Sequence, residues 1–420
     1  MSVMTMTEKF FARASGKTSV RSGEFVYPDP ALVIVHDTYL PAVHKELDQI
    51  GYKRITNPDR LVGVTDHEVL FTNPGALQRS QLNQKIMDDW KGGRYYGPGQ
   101  GGHGHVFPME DGLVRAGMFI AAYDMHASNF GAVGAYAMAV GTDISVVLAT
   151  GTKLSRVPET ILIELQGNFP RGVHARDVGF RLSHDLTSNR YGYSVEGAVV
   201  EFQGPATSHL NVAARVGFIN TLTEMSAANV LFPPMLYDGT PVAEFADLPS
   251  ATDAKFRGRI QIDLTQATPQ IALPGAPNNA AEIAEAVGTP IQHTYIGACG
   301  SSQYEDFSAA ATALQGKKLA KGVRLFIVPG SVKIANRLMS AGIAQTFSEA
   351  GAIILPAGCG PCAGGLMGLV GPGEGSMSTA ATNSHGRMGS MQADYFLGSP
   401  LSVVAAAVTG RITDPREIFT

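Results

Sequence analysis

Cysteine and basic charge are both scarce in this chain. Three cysteines in 420 residues are an odd number that cannot all pair within one chain, so the disulfide framework of a small secreted protein does not apply. Reduced thiols or metal ligands are the expectation instead. Lys and Arg number 32 against 36 Asp and Glu, a net charge of −4, which leaves no basic footprint for nucleic acid. No apolar run reaches the roughly 18 residues that a membrane span needs. The first 21 residues lack the apolar core of a secretory leader. Phe10, Phe11, Arg13, Lys17 and Arg21 imitate a transit peptide, but Glu8 and Glu24 weaken that reading, and a cytoplasmic protein is expected.

What is present points to a layered globular protein. Hydrophobic residues make up 45% of the chain, and its length calls for two or three domains. The 48 glycines fall in clusters and form no repeat, which suggests tight loops around a site. Short β-branched runs alternate with helical patterns, as in α/β layers. Residues 324–328 (RLFIV) read as a buried strand stopped by Pro329-Gly330, and Ser331 caps a helix with Ile334, Leu338 and Ala341 on its apolar side. Residues 352–355 (AIIL) read as the next strand. Val43, Leu47 and Ile50 mark one helix and Leu82, Ile86 and Trp90 another. From about Glu159 a strand (TILIEL), a helix from Ala175 and a strand (VEGAVVEFQG) follow, and residues 268–282, rich in Pro, Asn and Ala, read as a linker. Three domains are therefore expected, at 1–160, 161–285 and 286–420.

Cys359-Gly-Pro-Cys362 follows the strand at 352–355, and Cys299 follows the apolar segment 295–298. Adjacent parallel strands deliver their C-terminal loops to one sheet edge, so the two loops can converge. Three thiolates there can bind zinc, an iron–sulfur cluster, or nothing. Structural zinc prefers four protein ligands, and no histidine lies near either loop. An electron-transfer [4Fe-4S] cluster also usually takes four cysteines. Three leave one iron without a protein ligand, able to act as a Lewis acid. Two buried structural thiols with an unrelated third remain the bland alternative.

The histidines cluster in the first 130 residues. His36-Asp37 follows residues 31–35, Asp66-His67 follows LVGV, His103 and His105 lie in GPGQGGHGHVF, and Asp124-Met125-His126 follows MFIAAY. Carboxylate–imidazole pairs orient the ring and raise its pKa for acid–base work. Such residues at strand ends also cap helices and close turns. His44 and His184 read as surface or packing residues. The glycines of 131–141 read as close helix packing, because no acidic residue ends a following strand. Residues 364–375 lack the Lys-Ser/Thr ending of a P-loop and read as a loop beside the cysteines.

Together these residues resemble the aconitase superfamily, most closely the large subunits of 3-isopropylmalate dehydratases. The resemblance runs through TEKFFARASGKTSVRSGEFV, TDHEV, GHVFPMEDG, DMHASNFGAVGAYAMAVGT, INTLTEMSAAN, GACGSSQYED, PAGCGPC, SHGRMGS and SPLSVVAAAVTG. It implies an aconitase-like α/β fold of three layered domains around a [4Fe-4S] cluster held by Cys299, Cys359 and Cys362. It implies catalytic roles for Asp66, His67, His105, Asp124, His126 and Glu224, and places Asn220 beside the cluster. His36, Asp37, Met125, Ser302 and Arg387 fall on the implied substrate wall. The implied activity is a hydro-lyase acting on a small hydroxy-dicarboxylic acid, of the 3-isopropylmalate type or acting on maleate, citraconate or a methylated malate. An iron-sensing or RNA-binding protein is the remote alternative.

The departures concern the substrate wall. Met125 stands where the resemblance expects a serine, Thr382 where it expects an arginine, and Cys299-Gly-Ser-Ser302 replaces Cys-Thr-Asn-Ser. Losing an arginine fork argues for different carboxylate anchoring or a less anionic substrate. The chain stops at Thr420 without the swivelling fourth domain whose Gly-Ser-Ser-Arg loop supplies the catalytic base in single-chain relatives. A separate small subunit carrying that domain is the expected partner.

Overall fold

The computed structural model describes residues 3–362, 364 and 367–418. By internal contacts the chain divides into two units. One comprises Met1–Gln166, Tyr193–His209 and Ser226–Ile262, the other Gly167–Gly192, Leu210–Met225 and Asp263–Thr420. The stretch expected as a middle domain, 161–285, is thus shared between them. Among the described residues no helix is long and apolar enough to cross a membrane.

The first unit opens with α1 (Met6–Ala14), started by a capping box in which Thr5 and Glu8 satisfy each other's backbone N–H groups, and β1 (Phe25–Val26). A five-stranded sheet follows from β2 (Leu32–His36), β3 (Leu61–Val64), β4 (Arg94–Tyr96), β5 (Phe119–Ala122) and β6 (Tyr136–Ala139), in the order β4-β3-β2-β5-β6. Every pairing is parallel. That is why β2 and β3 read as continuous apolar runs: all their residues are buried. The helices α2 (Leu40–Gln49), α3 (Pro74–Trp90), α4 (Phe107–Glu110) and α5 (Ile144–Thr150) connect the strands or follow them. Val43, Leu47, Ile86 and Trp90 are in the core, whereas Ile50 and Leu82 are exposed, the first because it lies just past the end of α2. The short β7 (Ser155–Arg156) pairs antiparallel with β1. A second sheet, β10-β9-β8-β11, is made of β8 (Thr160–Gln166), β9 (Val199–Gln203), β10 (Asn229–Leu231) and β11 (Gly258–Asp263).

The second unit is built on a seven-stranded sheet, with β12 (Gln270–Ala272), β13 (Ala280–Glu282), β14 (His293–Ile296), β15 (Arg324–Ile327), β16 (Ile353–Ile354), β17 (Gly375–Ser378) and β18 (Asp394–Leu397). Its order is β13-β12-β18-β17-β14-β15-β16. The strands from β18 to β16 pair in parallel, and β12 pairs antiparallel with β13 and β18. Two helices from the shared stretch, α6 (Ala175–Thr187) and α7 (Val212–Thr223), belong to this unit with α8 (Tyr304–Leu314), α9 (Val332–Ser340), α10 (Ile343–Ala350) and α11 (Pro400–Thr409). Ser331 caps α9 as expected, its Oγ accepting the Ile334 N–H at 2.9 Å.

Three sequence expectations are corrected. The supposed linker holds β12 and β13, because Gln270, Ile271 and Ala272 are buried in the sheet. The strand at 352–355 shrinks to two half-exposed residues, since β16 is a sheet edge. The glycines of 131–141 fall in 3-10 segments and at the C-cap of the first rather than in packed helices. A Cβ on Gly131 would lie 1.8 Å from the Val230 carbonyl oxygen of β10. In the glycine-rich stretch 364–375, Gly365 and Leu366 lie outside the described residues.

Candidate active site

In the first unit four neighbouring parallel strands end at one edge, and each is followed by a segment carrying candidate residues. Asp66, after β3, is fully buried. Its two oxygens each lie 3.0 Å from His36 Nδ1, at the end of β2. It also accepts the Gly104 N–H at 2.8 Å. That approach requires a glycine, since a Cβ on Gly104 would sit 2.4 Å from the His36 ring. His67 Nδ1 lies between two carboxylates, 2.8 Å from Asp66 Oδ1 and 2.9 Å from Asp37 Oδ1. The other Asp37 oxygen accepts the Glu68 N–H at 3.0 Å. Both ring contacts fall on Nδ1, which leaves proton exchange at His67 to Nε2.

Asp124, at the N-cap of the 3-10 segment after β5, accepts the His126 backbone N–H at 2.8 Å and lies 3.0 Å from His126 Nδ1. His105 Nε2 is 3.8 Å from the same carboxylate. Met125 between them is 39% exposed, so this position offers an apolar surface where a hydroxyl was expected.

Electrostatics separate these imidazoles into two classes. Burial pushes His67 down, but the Asp66 and Asp37 carboxylates more than offset it and hold the ring well above its ordinary value. His36 is likewise raised, burial being outweighed by Asp66. Burial would raise Asp66, yet His36 and His67 bring it well below the usual carboxylate range. Asp124 is also held low, burial being outweighed by His126. His103 and His105 go the other way: burial lowers His103 to about 4 and His105 well below its ordinary value. One edge therefore holds a charged imidazole on paired carboxylates beside neutral imidazoles.

In the second unit the cysteine loops follow β14 and β16, with β15 between them, so the sheet delivers both to one edge across one intervening strand. All three thiols are buried and none forms a disulfide. The turn into Cys299 is tightly constrained. Ala298 has φ +58°, a costly conformation for a residue with a side chain. Thr379 Oγ1 accepts the Gly297 N–H at 2.9 Å and donates to the Gly297 carbonyl at 3.0 Å. Tyr295 donates its hydroxyl proton to the Cys359 carbonyl at 3.0 Å. Gly360, at φ +59°, must lack a Cβ because one would lie 2.7 Å from Val328 Cγ2.

Two donors aim at sulfur. Asn220 Nδ2 donates to Cys299 Sγ at 3.2 Å, and Arg387 Nη2 lies 3.8 Å from Cys362 Sγ. Arg387 is raised mainly by the Cys362 sulfur, with Glu224 contributing. Glu224 itself is the C-cap of α7, four residues beyond Asn220. Ser301 and Ser302 are fully buried, and each Oγ lacks a hydrogen-bond partner among the described residues. Among those residues the three thiols do not form a group within 4.8 Å of one another. One zinc ion, at about 2.3 Å from each sulfur, would have to draw them together; a multi-iron cluster separates its thiolates more widely. Sulfur-directed donors and orphaned hydroxyls fit such a cluster.

The expected residues therefore form two groups, one in each unit. His36 and Asp37, expected on the substrate wall, are buried with their polar atoms turned to Asp66 and to His67 and Glu68. His184 is on the surface, 3.3 Å from the Asn278 carbonyl, and His44 packs with its ring 5.3 Å from that of Trp90. Sequence reasoning missed Arg176, which is fully buried and donates to Asn220 Oδ1 at 3.3 Å and to the Ala380 carbonyl at 2.8 Å. One signal was available: a cation in the first turn of a helix opposes the macrodipole, so it needs a reason elsewhere.

The model of the aconitase family (aconitate hydratase) matches residues 8–236 and 237–410. The chain belongs to the aconitase family. Membership makes it a hydro-lyase. Similar aconitase-family proteins include 3-isopropylmalate dehydratase large subunit 1 of Methanopyrus kandleri, 32% identical over 98% of this chain and 99% of that one. The 3-isopropylmalate dehydratase large subunit of Herpetosiphon aurantiacus is 34% identical over 99% and 97%. The crystal structure of Thermococcus kodakaraensis aconitase X (holo-form) shares the fold, with TM-score 0.53 and 13% identity over 84% of each chain.

Proposed function

We infer that this chain is the large subunit of a two-subunit hydro-lyase that adds or removes water at a small hydroxy-dicarboxylic acid, with a [4Fe-4S] cluster on Cys299, Cys359 and Cys362. The observation that carries this reading is the set of three buried thiols at one sheet edge, with Asn220 and Arg387 directed at two of the sulfurs. When bound, the cluster supplies Lewis acidity toward the substrate's oxygens. The chain's own residues supply the acid side of the proton chemistry, and the base that takes the substrate's carbon-bound proton is expected on the small subunit. His67, charged and fixed through Nδ1 by Asp66 and Asp37, delivers a proton from Nε2 to the departing hydroxyl and recovers it in the hydration direction. Asp124 orients His126, and the neutral His105 beside it, whose ring nitrogens have no hydrogen-bond partner among the described residues, can offer one to substrate without adding charge. Arg387 retains a guanidinium suited to a substrate carboxylate.

The small-subunit partner rests on the relatives, which are named as large subunits. The division into three layered domains rests on the three larger sheets, which follow one another along the sequence. Met125 and Thr382 stand where the resemblance expects a hydroxyl and a guanidinium. A third carboxylate would thus lack a cationic partner, a cost of several kcal/mol if buried. The preferred substrate is a dicarboxylate with an apolar or absent third substituent. Isopropylmalate is the first choice, with citramalate, D-malate and dimethylmalate behind it. The test is that panel plus citrate, assayed by absorbance of the unsaturated product with and without the cognate small subunit. Activity is expected only with both chains. Highest specificity for citrate, or full turnover by the large subunit alone, overturns the reading.

A further inference from the structure

We propose that Arg176 is the positioning residue of the cysteine centre: its guanidinium fixes which way Asn220 faces, so that the amide donates to Cys299, and it sets a buried positive charge beside the thiolates. This inference rests on the cluster reading above.

Arginine has five N–H donors and no acceptor. Facing Arg176 Nη1 at 3.3 Å, Asn220 must present its oxygen, and its NH₂ group is then turned to Cys299 Sγ at 3.2 Å. Without the arginine, nothing in that contact distinguishes the two ends of the amide, and the flipped form would set an acceptor against a thiolate. The chain commits several other positions to the same arrangement. Gly300, directly after the ligand, leaves the space that the contact occupies. A Cβ there would lie 2.0 Å from Arg176 Nη1 and 2.6 Å from Asn220 Oδ1. Helices α6 and α7, which carry the two residues, meet through glycines. A Cβ on Gly179 would be 2.2 Å from Thr221 Oγ1, and one on Gly217 would be 3.3 Å from Arg176 Cγ. The Ala380 carbonyl, after β17, anchors Nη2 at 2.8 Å, and the Phe180 ring lies beneath the guanidinium carbon at 5.1 Å.

A fully buried guanidinium is costly without counter-charges. Those acting on Arg176 are Cys299, Asp306, Asp177 and Cys362. The two carboxylates have other duties. Asp177 accepts the Gln270 and His174 N–H groups, and Asp306 accepts the Gln303 N–H and lies 3.4 Å from His174 Nε2. Of the four, Cys299 acts most strongly on the guanidinium, ahead of both carboxylates.

The experiment compares the parent, Arg176→Met, Arg176→Lys and Gly300→Ala after anaerobic cluster reconstitution. The readouts are iron content, the midpoint potential of the cluster's one-electron couple followed by electron paramagnetic resonance, the rate of bleaching in air, and the melting temperature. Removing the cation disfavours adding an electron, so Arg176→Met should lower the potential and bleach several-fold faster. Arg176→Lys keeps the charge and should recover part of both. Gly300→Ala should shift both in the Arg176→Met direction without touching the arginine codon. In the cycle of Arg176→Met with Asn220→Ala the effects should be less than additive, because one residue acts partly through the other. A purely structural role would lower the melting temperature and leave the potential where it was, and that result overturns the proposal. If Arg176→Met does not fold, unchanged potentials in both Arg176→Lys and Gly300→Ala decide against it equally. A parent that takes up no iron sinks the cluster reading itself and this inference with it. A loaded parent with unmoved variants sinks this inference alone.

Discussion

Acidification should destabilise the first unit through His103, by an amount that follows from its environment. Burial holds this imidazole at about 4, whereas in the unfolded chain it titrates near 6.5. The His105 backbone N–H donates to its Nδ1 at 3.2 Å, a bond that only the neutral ring can accept. Below pH 6.5 the unfolded state therefore binds the proton first, and stability falls as pH falls, levelling off below about 4. A gap of about 2.5 pH units at ~1.4 kcal/mol each gives on the order of 3 kcal/mol in total, of which about 2 kcal/mol is lost by pH 5. The perturbation is His103→Gln, which keeps a side-chain acceptor but cannot titrate. The assay is urea unfolding at pH 7.5 and pH 5.0, followed by fluorescence of the chain's single tryptophan. That residue, Trp90, lies in the core beneath the five-stranded sheet and so reports this unit. The parent should lose about 2 kcal/mol more than the variant between the two pH values. Equal losses would refute the argument, because the other titrating groups are common to both proteins.

His67→Ala should lower turnover by roughly 10²–10⁴ while leaving iron content and visible absorbance intact, as loss of a general acid does; full activity would remove His67 from the mechanism. Cys359→Ser should abolish iron uptake and the brown colour of reconstituted protein, and a colourless parent holding stoichiometric zinc would overturn the cluster reading. Gly131→Ala should cost at least about 1–3 kcal/mol, because a Cβ would enter the Val230 carbonyl; unfolding at the parental midpoint would contradict that packing.

The legible parts of this molecule are those in which local chemistry and tertiary role coincide. The strand at 160–165, the helix from Ala175 and the Ser331 cap could be read because pattern, cap and burial agree there. The His- and Asp-bearing strand ends could be read because parallel strands place their C-termini together. The segment at 268–282 could not, since a three-residue strand between prolines has no period to detect. Nor could the pairing of Asp37 with His67, 30 residues apart, which exists only once β2 and β3 lie side by side. Arg176 was hidden for a related reason. Its partners come from α7, from the loop after β14 and from the chain after β17, and no spacing within the sequence links them. His36 was visible as a candidate, but its burial against Asp66 makes it part of the charge network behind His67.

That network leads to a pH test of the proton donor. The two carboxylates on Nδ1 raise His67, so its charged form persists above the pH at which an ordinary histidine deprotonates. In linkage terms its stabilising contribution is complete below about 6.5 and is lost as pH rises through the raised value. If the charged ring delivers the proton in dehydration, kcat must fall along an alkaline limb set by this group. Asp37→Asn removes one of the two carboxylates; its single amide oxygen can still accept the Glu68 N–H, while the Nδ1 proton stays on Asp66 Oδ1 at 2.8 Å. The backbone contact to Glu68 is thereby kept while the field on His67 weakens, and the limb should move toward lower pH with little change on its acid side. The measurement is the pH dependence of kcat for the reconstituted two-chain enzyme, parent against Asp37→Asn, on whichever substrate it prefers. Asp66 remains in the variant, so the limb should shift and not disappear. A limb that stays in place while overall activity drops would show that Asp37 only holds the loop, and the proton donor would then have to be sought at His126 or His105. A limb displaced to lower pH, by contrast, can arise only if the group that loses its proton there is the one that Asp37 touches.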